Sequence, residues 1–69
     1  MPKPSGAPDV GDLVTPRGPI EVDARAGRYW HVGEPRLVVS TRGIEIQVMK
    51  EVELAWVARM RVKVVNESR

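Results

Sequence analysis

The sequence predicts an all-β fold, in which one small domain of short strands follows an extended arm. Three observations carry this. From Ile44 to Val64 every even position except Lys50 is apolar, while the odd positions are mostly polar. That period of two belongs to strands with one buried face. Gly and Pro punctuate the chain at Pro16, Gly18, Pro19, Gly27, Gly33, Pro35 and Gly43, which cuts it into short segments. The third observation is size: a 69-residue chain holds one domain at most. With no Phe, two Trp and one Tyr, the core has to come from Val, Ile, Leu and Met.

Residues 1–9 form the arm. Pro2, Pro4 and Pro8 with Ser5 and Gly6 disfavour helix there. Such a segment is either a disordered tail or an arm that docks on a neighbour. The domain spans 10–66 and a short tail covers 67–69. Within the domain, 10–16 reads as a first strand ended by Pro16. An irregular stretch follows from Thr15 to Pro35, and inside it Ile20–Asp23 and residues 28–32 read as short strands.

From Arg36 onward the alternation sharpens. Arg42-Gly43 reads as a two-residue hairpin turn, because Gly tolerates positive φ. That frame puts Leu37, Val39, Ile44, Ile46 and Val48 on one face. The alternation is too long for one strand and breaks at Lys50. A three-residue loop, Met49-Lys50-Glu51, keeps the parity and sets Val48 opposite Val52. Residues 50–61 also suit a helix, being rich in Glu, Leu, Ala, Arg and Met, with Val48, Val52, Ala55, Trp56 and Met60 at helical spacing. The unbroken alternation on both sides favours strand.

The charge balance narrows the partners. Eleven Lys+Arg against nine Asp+Glu leave +2, too little to demand nucleic acid. Cysteine is absent and there is one His, so a disulfide, a thiolate metal site and a zinc site built by one chain are all excluded. A domain this small without such a staple is expected to gain stability from a partner. No apolar run is long enough for a membrane helix, and Met1-Pro2-Lys3-Pro4 does not open a signal peptide. No membrane contact is expected, and the default location is cytoplasmic.

The order of a short strand, a long loop, two hairpins and a last short strand resembles the plan of a five-stranded SH3-like small barrel. The opening Gly11-Asp12-Leu13-Val14 resembles the start common in such barrels. The end, Trp56-Val57-Ala58-Arg59-Met60-Arg61-Val62-Lys63-Val64-Val65, resembles their closing pattern, a Trp strand broken by a one-turn helix before a last short strand. Small barrels with both features are similar to proteins of tailed bacteriophages. The resemblance implies a virion location and a structural role, such as capsid decoration, cement or head–tail joining. SH3-like domains that bind Pro-rich peptides carry a Tyr-rich groove and an acidic first loop. This loop carries Arg17, Arg25 and Arg28, and the chain has one Tyr, so that activity is not expected.

No catalytic unit is readable. Ser5, Ser40 and Ser68 have only His31 as a base. Asp9, Asp12 and Asp23 lack calcium-loop spacing, and no phosphate loop is present. The expectation is a non-enzyme without a cofactor. Three groups are candidates for binding a partner. The first is the arm, through Pro2, Lys3 and Pro4. The second is the basic and aromatic cluster Arg25, Arg28, Tyr29, Trp30, His31 and Arg36, which fits stacking on bases, anchoring a protein, or closing over the core with Arg as its rim. The third is Arg59, Arg61 and Lys63, expected together on the solvent face of a strand whose other face buries Trp56. The partners expected are protein subunits of a larger assembly, including copies of this chain, with nucleic acid as the alternative.

Overall fold

The computed structural model describes residues 8–65, and these are all-β, as the alternation predicts. The strands are β1 (Leu13–Pro16), β2 (Ile20–Asp23), β3 (Arg28–Trp30), β4 (Arg36–Arg42), β5 (Glu45–Lys50), β6 (Glu53–Ala58) and β7 (Val62–Val64). A 3₁₀ turn, Arg59–Arg61, separates the last two. Five strands make one antiparallel sheet in the order β6-β5-β4-β1-β7, and β2 and β3 make a separate two-stranded ribbon. The large sheet does not close on itself: β6 and β7 are its edges.

The core fills the space between sheet and ribbon. Val14, Val38, Ile46, Val48, Val57 and Val62 come from the sheet, and Ile20 and Trp30 from the ribbon. Without Phe, Trp30 is the bulk that a Val-rich sheet closes around; its side chain is fully buried. Its indole N–H donates to the Glu34 carbonyl at 2.6 Å, which satisfies the polar edge that burial would otherwise leave bare. The loop after β3 is tied down beside it. Gly33 N–H donates to the buried Thr15 hydroxyl at 2.7 Å, and His31 N–H donates to the Glu34 carboxylate at 3.2 Å.

Both turns of the meander differ from the expected frame. The first loop is Gly43-Ile44, closed by the Arg42–Glu45 pair, not Arg42-Gly43. Gly43 has φ 58° at the first loop position, where a two-residue hairpin favours glycine. The second loop is Glu51-Val52, closed by Lys50 and Glu53, not the three residues 49–51. The second change moves the pairing by three residues, an odd number, and so inverts β6. Val48 therefore lies opposite Ala55 rather than Val52, and Val52 stands 96% exposed at the loop tip. Glu53, Ala55 and Val57 turn toward the ribbon, while Leu54 and Trp56 turn away from it. A register shift between Val38 and Ser40 sends Leu37 to the outer face while Val38 stays buried.

Two boundaries also move. The first strand begins at Leu13 rather than residue 10, because a tight turn comes before it. Asp9 N–H donates to the Asp12 carboxylate at 2.8 Å, Asp12 N–H donates to the Asp9 carbonyl at 3.0 Å, and Gly11 has φ 96°. At the other end, Arg59 and Arg61 sit on the 3₁₀ turn and not on a strand.

Candidate docking surface

The sheet has two faces, and only the inner one is covered by the ribbon. On the outer face the strand register sets Leu13 beside Leu37, Leu37 beside Met49, and Met49 beside Leu54. These four side chains form one row across four adjacent strands. Leu13 and Leu54 are exposed and Leu37 and Met49 are half-buried. Val65, whose N–H donates to the Leu13 carbonyl at 2.9 Å and whose side chain is exposed, continues the apolar row past β1. Trp56 lies two residues further along β6 on the same face, 36% exposed, opposite Gln47. The Arg42 guanidinium rests over its ring at 4.1 Å and donates to Glu45 at 3.1 Å. A cation stacked on an aromatic face and held by a carboxylate has little freedom left to lose on binding. Trp and Arg dominate interface hot spots.

This placement corrects the expectation that Trp56 belongs to the core. The cause is register: the inner face of β6 carries Ala55 and Val57, which pack with the core that includes Trp30.

The basic and aromatic cluster separates into different roles. Trp30 is core, so its ring faces no solvent. Arg36, beside it at 5.3 Å from the ring centroid, is 3% exposed on the inner face of β4. Its Nη2 lies 3.5 Å from a Glu53 carboxylate oxygen that also accepts from Arg28 at 2.8 Å. One carboxylate thus serves two guanidiniums, one from β3 and one from β4, and clamps the ribbon to the sheet. Arg36 Nε and Nη1 are buried without a protein acceptor among the described residues. Tyr29 is half-exposed, with its ring 6.3 Å from that of His31. Arg25 is exposed in the β2–β3 turn, where the Asp23 carboxylate accepts from the backbone N–H groups of Arg25 and Ala26.

Lys63 is exposed on β7 opposite Thr15, while Arg59 and Arg61 lie on the 3₁₀ turn, so the three do not make one basic strand face. Pro2, Lys3 and Pro4 of the arm, and the tail at 67–69, fall outside the described residues.

Among the described residues no three His, Asp or Glu side chains gather as a metal site would need. No helix among them is long and apolar enough to cross a membrane.

Comparison with known proteins adds no relative: no family model, curated protein or solved structure matches the chain.

Sequence reasoning missed three features: the outer apolar row, the exposure of Trp56, and the shared Glu53. Gly43 signalled only the β4–β5 loop: at the first loop position, which such hairpins favour, it gives the Arg42–Glu45 closure. The three missed features depend instead on the β5–β6 turn and on the shift between Val38 and Ser40.

Proposed function

We propose that this chain is a non-enzymatic structural domain that docks on a larger protein assembly through the outer face of its five-stranded sheet. The observation that carries the reading is the register-aligned row Leu13, Leu37, Met49 and Leu54, with Trp56 and Arg42 beside it. A contiguous apolar face on a small domain marks an interaction surface. The absence of a disulfide agrees with a domain that gains stability from its partner.

The strand order β6-β5-β4-β1-β7, with a 3₁₀ turn before the last strand, supports reading the domain as an SH3-like small barrel whose long first loop is the β2–β3 ribbon. The most specific form of the proposal is a tailed-phage virion component, of the decoration, cement or head–tail joining kind. It rests on the resemblance of Gly11-Asp12-Leu13-Val14 and of the closing segment at 56–65. A nucleic-acid module is the weaker reading, because Trp30 is buried and Arg28 is paired with Glu53, which removes the expected stacking platform and one phosphate ligand.

The test is to fractionate a lysate of the source by size, with and without nuclease, while following the wild type and a Leu54→Lys/Trp56→Lys variant by mass spectrometry. Docking predicts that the wild type travels with large, nuclease-resistant particles and that the variant, still folded, travels alone. A wild type that migrates as a small species, or that shifts down after nuclease, overturns the reading.

A further inference from the structure

A second surface feature lies at the end of the sheet, where the β4–β5 turn meets the 3₁₀ turn. A bond from Arg59 N–H to the Ile44 carbonyl at 2.8 Å joins the two turns. Between them is a notch of about 250 Å³ lined by Ile44, Ala58, Arg59 and Met60. Its two large apolar side chains are unusually bare: Ile44 is 70% exposed and Met60 76%. Neither belongs to the outer row.

Among the described residues, the unpaired charge on the segments that form the notch is positive. Arg59 lines it and Arg61 ends the same turn. Arg17 is held alongside, its backbone N–H donating to the Arg61 carbonyl at 2.8 Å. None of these three guanidiniums pairs with a carboxylate of another described residue. The acid that register brings to this end, Glu45 opposite Ala58, is already engaged by Arg42 at 3.1 Å. The notch therefore combines an apolar floor with uncompensated positive charge.

We propose that this notch receives an apolar side chain of a protein partner, presented within an acidic segment. The inference deepens the docking reading and rests on it for the class of partner. Complementary charge would steer such a segment to the site and reject basic ones, while the apolar side chain covers Ile44 and Met60. A nucleic-acid backbone would meet the arginines but leave that floor bare.

Methyl NMR of the full chain tests this directly. The probes are three sets of synthetic peptides, each with a central Leu, Ile, Met or Phe, flanked by Asp/Glu, by Ser or by Lys, together with a short DNA duplex. Expected is a saturable shift of the Ile44 and Met60 methyl signals with an acid-flanked peptide, weakening by at least about fivefold from low to several hundred millimolar salt. The Ile44 shift should vanish in Met60→Glu, whose exposed position leaves the fold intact, and both shifts should vanish in Arg59→Glu.

The proposal is overturned if no acid-flanked peptide moves these methyls, if Lys-flanked peptides move them equally, or if only DNA does. Shifts confined to Leu54 and Met49 would refute the notch and leave docking through the outer face standing. Binding at the notch by a chain that never travels with large particles would do the reverse.

Discussion

At Glu53 two guanidiniums converge, and one of them, Arg36, is buried. Removing one partner of a buried pair leaves an uncompensated charge, whereas replacing the charge by a hydrocarbon of similar size does not. Glu53→Gln should therefore lower stability by about 2–3 kcal/mol in urea unfolding, and Arg36→Met should cost less or even stabilise. An Arg36→Met variant less stable than Glu53→Gln would show that the Arg36–Trp30 stack matters more than the charge. The two tryptophans should also separate in fluorescence. Trp30 is fully buried and Trp56 is 36% exposed, so acrylamide should quench Trp56 and spare Trp30, read from Trp30→Phe and Trp56→Phe single variants. Equal quenching would contradict the assigned register of β6.

The meander turns decide which face each strand shows. Gly43 and Glu51 occupy matching positions, each first in a two-residue loop, with φ 58° in both. Glycine adopts that conformation freely, while a residue with a Cβ is strained by about 1–2 kcal/mol. Glu51→Gly should thus raise the unfolding midpoint, with a gain of up to about 1 kcal/mol after the added freedom of the unfolded chain is counted. Gly43→Val should lower it. A destabilising Glu51→Gly would mean that the Glu51 side chain contributes more than its backbone strain costs. At this scale the sequence was informative about which segments are strands and less so about frame. The period of two over 44–64 located β5, β6 and β7, and the short alternation at Ile20–Asp23 located β2. Both hairpin frames were displaced, the first loop by one residue and the second from 49–51 to 51–52, which moves the partner of Val48 by three residues, since the apolar pattern of this chain fits either register. The even residues Leu54 and Trp56 look as much like core as Ala55 and Val57 do.

For the molecule as a whole, the outer row sits on an antiparallel sheet whose edge strand β6 carries Leu54 and Trp56. An apolar face next to a free edge invites association. Sedimentation of the isolated chain at rising concentration should therefore show self-association, and Leu54→Lys should suppress it without changing the circular dichroism spectrum. A wild type that stays monomeric at millimolar concentration would indicate that the row needs a different surface, one supplied by a distinct partner. The ribbon's attachment is the other global property. It is held by Trp30, Ile20 and the Arg28–Glu53–Arg36 clamp, so Glu53→Gln should speed hydrogen exchange of β2 and β3 more than that of β4 and β5.

What the sequence by itself determined is the class: one small all-β domain of Val-rich strands without disulfides, whose breaks are written in Gly and Pro. Those features are local, since periodicity and turn chemistry act within a few residues of each position. The tertiary structure decided which apolar residues are core. Trp30 from the ribbon joined the sheet's core, and β6 turned Ala55 and Val57 toward it. Leu54 and Trp56 were turned outward to join Leu13, Leu37 and Met49, and Ile44 was left bare beside Met60. These residues come from segments far apart in the chain, and only the strand register brings them to one surface.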